Sequence, residues 1–146
     1  MKATVHFEKG IRILLSLLPL TAIGVMYLAN DFEWAAVFIV VGVTFWLGSM
    51  RLKLELTDTE LKYKLLGWHF KEQSIVLTEI TKAEIIDVVP LSDYLGWGIR
   101  WNAKLGKGYI LQSGKSLFIE TKTGQKRVFS LGRHVALGER VIQNLN

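Results

Sequence analysis

The chain of 146 residues has no cysteine, two prolines and three histidines. Without cysteine there is no disulfide, no thiolate nucleophile and no sulfur-ligated metal, and the chain suits a reducing compartment. His6, His69 and His134 lie far apart, and none has a ligand partner at helical or strand spacing. They read as surface or snorkelling side chains, so no metal site is expected. None of the serines at 16, 49, 74, 92, 113, 116 and 130 stands in a nucleophile elbow. The glycines at 106, 108 and 114 are spaced for turns, not for a phosphate-binding loop. Asp58 and Glu60 fall in a turn, where solvation accounts for them. These absences exclude a recognisable catalytic constellation. The expectation is a protein that is not an enzyme, with no cofactor and no small-molecule substrate.

Charge is also scarce over one long stretch. Residues 13–50 carry only Asp31 and Glu33, and half of the whole chain is hydrophobic. Ile13 to Ala29 and Trp34 to Met50 are two uncharged runs of 17 residues, separated by Asn30-Asp31-Phe32-Glu33. Each is at the short end of what spans a bilayer, and the link suits a tight turn between antiparallel helices. Soluble helices alternate apolar and polar faces, whereas these runs are apolar all round. A cleaved leader is disfavoured because the apolar run continues past the small residues Ala22 and Gly24 and a second span follows at once. Residues 1–50 are therefore expected to form a two-helix transmembrane hairpin.

Its flanks set an orientation. Lys2, Lys9 and Arg12 precede the first span, Arg51 and Lys53 follow the second, and the link has no basic residue. The positive-inside rule then places both termini in the cytoplasm of a multi-pass inner-membrane protein. Tyr27, Phe32 and Trp34 stand where an outer aromatic belt is expected, and Phe7 and Trp46 toward an inner one. Pro19 removes a helical donor, so a kink or local opening is expected there. Gly24, Gly42 and Gly48 allow close backbone approach. Neither span has an ionisable residue in its middle, which argues against an ion pathway built by this chain alone.

From Arg51 the apolar period changes to two. Leu52, Leu54 and Leu56 alternate with charge, then Leu61, Tyr63 and Leu65, then Trp68 to Gln73. Ser74 to Thr81 is less periodic and suits a short helical turn. Ala83 to Val89 reads as a strand ended by Pro90, and Leu91 to Gly96 as a loop. Strands are expected at Gly98–Trp101, Gly108–Gln112, Ser116–Glu120 and Gln125–Phe129, with hairpin turns at Ser113-Gly114-Lys115 and Thr123-Gly124. Arg133 to Asn144 can gather Val135, Leu137, Val141, Ile142 and Leu145 on one helical face, with Ser130 as N-cap. The fold class is thus a membrane α-helical hairpin plus an α+β, mostly-β domain over 51–146. Its simplest form is a partly open barrel of about seven antiparallel strands capped by a C-terminal helix.

The stretch Tyr94-Leu-Gly-Trp-Gly-Ile-Arg-Trp101, then Gly-Tyr-Ile-Leu-Gln at 108–112 and residues 114–126, with a closing helix, resembles the bacterial pleckstrin-homology-like (PH-like) domains. Such domains often follow two transmembrane helices. The resemblance implies a seven-stranded barrel with a C-terminal helix, serving as a binding or assembly module without catalysis. Members near bacteriocin systems imply an alternative, immunity against a membrane-active peptide. The loop Thr57-Asp58-Thr59-Glu60 is acidic where the eukaryotic lipid-binding members resemble one another in a basic cluster, so inositol phosphate binding does not carry over.

The net charge of +5 falls in residues 51–146, because Lys2, Lys9 and Arg12 offset Glu8, Asp31 and Glu33. Arg100, Lys104, Lys107, Lys115, Lys122, Lys126 and Arg127 form a basic group in which only Glu120 is acidic. Solvated turn lysines explain part of it. The functional reading is a face held against anionic headgroups, each cation adding about 1 kcal/mol. No nucleic-acid motif accompanies these charges. Trp97 and Trp101 are the candidate partner contacts, with Trp97, between Gly96 and Gly98, expected to be the more exposed. The expected partners are the lipid bilayer and either a membrane protein or a second copy of the chain, met through a sheet edge or the loop at 91–98.

Overall fold

The structure is a computed structural model that describes residues 1–29, 33–68 and 71–145. The chain divides into two compact units, Phe7–Met50 and Met1–His6 together with Arg51–Asn146.

In the first unit, α1 spans Lys9–Ala29 and α2 spans Trp34–Gly48. Neither helix buries a residue against the rest of the chain. α1 has 21 residues and a mean hydropathy of 1.9 over its most apolar window, long and apolar enough to cross a membrane. α1 starts at Lys9 rather than 13 and runs through Pro19, while α2 stops at Gly48 rather than 50. At 1.5 Å per residue α2 is about 22 Å long. Ser16, Thr21, Thr44 and Ser49 turn their hydroxyls onto carbonyls three or four residues back, which gives each hydroxyl an acceptor within its own helix. A shallow groove lined by Arg12, Ser16, Thr44 and Gly48 sets the start of α1 beside the end of α2. Asn30, Asp31 and Phe32, with the expected turn and belt residue, lie outside the described residues.

The second unit is α+β. Its first sheet has the order β1-β2-β3-β4, all antiparallel: β1 Lys2–His6, β2 Arg51–Leu56, β3 Glu60–Leu66 and β4 Gln73–Val76. The two-residue period of Leu52, Leu54, Leu56, Leu61, Tyr63 and Leu65 puts all six inside. β1, absent from the sequence reading, adds Ala3 and Val5 to the same buried face and pairs along β2. The expected third strand is displaced. Trp68 lies in the turn after β3, pairing begins at Gln73, and His69 and Phe70 lie outside the described residues. A 3-10 turn at Leu77–Glu79 supplies the expected helical turn.

The second sheet has the order β5-β8-β9-β7-β6: β5 Ile80–Val88, β6 Gly98–Asn102, β7 Gly106–Ile110, β8 Gly114–Thr121 and β9 Lys126–Ser130. The fold departs from the expected partly open barrel of about seven antiparallel strands. There are nine described strands in two separate sheets, no barrel closes, and β7 runs parallel to β9. Ser113 to Lys115 therefore makes no hairpin, because β8 pairs with β5 and β9 and not with β7. The expected loop at Leu91 to Gly96 contains a short helix, α3 Pro90–Tyr94, with Pro90 at its first turn, where a missing N–H costs nothing. The closing helix α4 spans Val135–Gln143 and buries Leu137 and Val141. Ser130 is not its cap. It ends β9, fully buried, where its hydroxyl accepts from the amides of Leu111 and Gln112 and donates to the Gln112 carbonyl.

The two sheets meet through aromatic rings. Tyr63 of β3 lies 5.2 Å from Tyr109 and 4.9 Å from Phe129, and those two stack at 5.1 Å. On the other side of the second sheet, Tyr94 of α3 joins Val88, Ile110, Phe118 and Val128 in a buried cluster. Gly108 admits the Tyr94 ring, since a Cβ there would sit 2.6 Å from Cε1.

Register gives this unit two ends. At one, His6 pairs with Arg51, the points where the chain leaves for α1 and returns from α2. Gln112 Nε2 donates to the His6 carbonyl at 2.9 Å. Leu66 opposite Arg51, and Val88 opposite Gly114, belong to the same attachment end. The far end holds the turn at Thr57–Glu60, the Asn102–Gly106 turn and the Thr121–Gln125 turn.

Candidate functional site

The seven basic residues separate once folded. Lys115 Nζ lies 2.7 Å from Asp87 Oδ2, so its charge is paired. Arg100 is exposed and its Nε donates to the Trp97 carbonyl at 3.0 Å. Lys104 and Lys122 are exposed on far-end turns. Lys107, Lys126 and Arg127 converge with Trp101 on one cleft of about 490 Å³, closed by Thr123, Gly124 and Gln125.

The register explains this convergence. Trp101 stands opposite Lys107 across the antiparallel β6–β7 pair, and Lys107 opposite Arg127 across the parallel β7–β9 pair. Directly opposed residues share a sheet face, so the three side chains form one cross-strand row. Trp101 is 73% exposed on edge strand β6, more open than the half-buried Trp97, which reverses the expectation. The Trp97 indole nitrogen is enclosed without an acceptor. Lys107 Nζ lies 5.5 Å from the Tyr109 ring centre, and the Arg127 guanidinium 5.7 Å from that of Tyr63. These rings hold the cations by their π faces without neutralising them. Arg127 Nη2 also donates to Gln125 Oε1 at 2.7 Å. Among the described residues no ion pair involves Lys107, Lys126 or Arg127.

The turn that closes the cleft is built firmly. Thr121 Oγ1 contacts Thr123 Oγ1 at 2.9 Å, receives the Gln125 amide at 3.2 Å and reaches the Gln125 carbonyl. Opposite, Asn102 Oδ1 accepts from the amides of Lys104 and Leu105 and so forms the β6–β7 turn. Gly106, at φ +75°, lets this turn pass against the Lys126 backbone with no room for a Cβ. Thr123, Gln125 and Gly106 were not candidates from the sequence, because their part depends on the parallel pairing. The cleft therefore offers unneutralised cations beside an exposed indole, suited to holding an anionic group against an aromatic face.

Among the described residues no three His, Asp or Glu side chains gather as a metal site. The strongest electrostatic effects lie elsewhere. Burial, and then the Asp93 charge, push the Tyr94 hydroxyl up from 10.0 to about 12, and burial raises the Tyr109 hydroxyl further. Glu60 hydrogen-bonds Lys62, which holds its carboxyl below 4.5. Neither arrangement pairs an acid with a base around a cavity. In the helical unit Tyr27, Trp34 and Trp46 are 79%, 66% and 43% exposed.

No protein family, curated protein or solved structure matches this chain.

Proposed function

We propose that this protein is a membrane-anchored, non-enzymatic binding module whose far-end cleft takes an acidic segment of a membrane-protein partner. The single observation that carries the reading is the row Trp101–Lys107–Arg127, completed by Lys126, in a cleft without a carboxylate. An indole beside half-buried cations matches the residue types enriched in interface hot spots. β6 is an edge strand, so an extended partner can add backbone hydrogen bonds beside Trp101. The cleft lies at the opposite end of the β unit from His6 and Arg51, where the chain enters its apolar helices.

In this reading both helices cross the inner membrane of a bacterium, Tyr27, Trp34 and Trp46 sit at its interfaces, and both termini are cytoplasmic. The fold is read as PH-like, with two packed sheets and a closing helix, and the parallel β7–β9 pair is a departure from that pattern.

Mild-detergent purification from native membranes, followed by mass spectrometry, tests the proposal. A stoichiometric membrane-protein partner is expected. Trp101→Ala is expected to weaken it by about 2 kcal/mol, roughly thirtyfold in affinity. The double variant Lys107→Glu, Arg127→Glu is expected to abolish recovery. Recovery of the protein with anionic lipid only overturns the reading.

A further inference from the structure

The far-end cleft has two halves that one small ligand can use together. One half is cationic. Lys107, Lys126 and Arg127 line it, no carboxylate does, and no ion pair among the described residues takes their charges. The other half is aromatic. Trp101 is 73% exposed, and no other ring among the described residues packs on its indole. An open indole face is a stacking platform for a planar ring, and half-buried cations beside it hold an anion more firmly than fully solvated ones. The cleft volume of about 490 Å³ is in the range of small-molecule sites.

Strand spacing fixes the interval between the two halves. Trp101 and Lys107 stand directly opposite each other on β6 and β7, and Lys107 and Arg127 on β7 and β9. Adjacent strands lie about 4.8 Å apart, so the two cations are one and two strand spacings from the indole. A pentose bridges such an interval, with a base at one end and phosphate groups at the other. The guanidinium is fixed before any ligand arrives. Gln125 Oε1 accepts from Arg127 Nη2 at 2.7 Å, and the Tyr63 ring centre lies 5.7 Å from it. Groups already held in place lose little freedom on binding. Residues of the β6–β7 turn and of the Thr121–Gln125 turn both wall the cleft. Closed by two turns, it is shaped for one compact ligand and not for a strand of nucleic acid running along a groove.

We propose that the far-end cleft binds a nucleoside diphosphate, with the base stacked on Trp101 and the phosphates on Lys107, Lys126 and Arg127. This goes beyond the partner reading above and does not depend on it. Where both hold, nucleotide and acidic segment exclude each other, because they use the same cations.

The full chain in mild detergent, without divalent cations, is titrated by calorimetry with ADP, adenosine, inorganic diphosphate and single-stranded oligoadenylate. One ADP per chain is expected, bound more tightly than adenosine or diphosphate by about tenfold or more, since the two halves act through one linked ligand. Trp101→Ala is expected to weaken ADP about tenfold and leave diphosphate unchanged. Lys107→Gln should weaken ADP and diphosphate alike. An unchanged denaturant midpoint shows that each variant is folded. ADP that binds no more tightly than diphosphate, or is untouched by Trp101→Ala, overturns the proposal and leaves an anion patch. Absence of ADP binding overturns it outright. Oligoadenylate that binds far more tightly than ADP assigns the cleft to nucleic acid and overturns it as well. None of these outcomes bears on the co-purified partner, whose loss with Lys107→Glu, Arg127→Glu is read separately. Added ADP is expected to release that partner, and a partner retained at saturating ADP overturns the shared site.

Discussion

In α1 and α2 no residue is buried, and Leu20, Val25, Phe38 and Phe45 are 64%, 66%, 71% and 77% exposed. In the β unit Leu52, Leu61, Ile110 and Phe129 are sealed to 1% or less. Both regions are rich in large apolar side chains, and they differ in where those side chains can go. A strand of period two has a single apolar face, which another sheet can cover. A helix apolar on every side exceeds what one neighbour covers, which fits the membrane anchor proposed above. The lesson is that apolar content alone does not define a core. The periodicity of that content decides whether a single protein face can cover it.

This contrast can be broken experimentally, beginning with the strongest effect. Phe129→Ala removes the ring that joins Tyr63 and Tyr109. It is expected to cost the β unit about 3–5 kcal/mol, read as a lower denaturant midpoint in detergent with membrane retention unchanged. Leu20→Arg should do the opposite. A cation in mid-span costs about 2.5–3.5 kcal/mol of insertion, read as loss of carbonate-resistant membrane association with an unchanged midpoint. If Leu20→Arg leaves the protein in the membrane fraction, the lipid-facing assignment of α1 is wrong.

Two smaller effects sharpen the comparison inside the β unit. Ser130→Ala leaves the Leu111 and Gln112 amides without their buried acceptor and should cost about 1–3 kcal/mol by denaturant unfolding. The Tyr94 hydroxyl is enclosed without a partner and raised to about 12. The folded state thus keeps a proton that the unfolded chain releases near 10, and stability is present below that pH and lost as pH rises toward 12. Tyr94→Phe should flatten this alkaline loss and leave stability at neutral pH unchanged or slightly higher. An equally steep alkaline loss in Tyr94→Phe would assign the effect to another group, with the buried Tyr109 next in line.

Local pattern made much of the fold legible. The alternation at Leu52–Leu56 and Leu61–Leu65 marks two buried strands, and Thr123-Gly124 marks a true hairpin. Ser113-Gly114 has the same turn chemistry but joins strands that do not pair, because turn residues describe a bend and not which strand lies beside the next. Of the candidate site, the residue types were legible. Their grouping was not, since Trp101, Lys107 and Arg127 are brought into one row by non-local pairing.

By itself the sequence determined the two apolar runs, the strand-rich remainder, the closing helix and the basic bias of residues 51–146. These follow from composition and short-range period, which act within a few residues along the chain. Only the tertiary structure decided that Lys2–His6 joins β2, that two sheets form instead of a barrel, and that β7 lies parallel to β9. It also sent Lys107, Lys126 and Arg127 to one cleft while Lys115 paired with Asp87. Each of these depends on contacts between residues distant in the chain, where packing of complementary faces outweighs local preference.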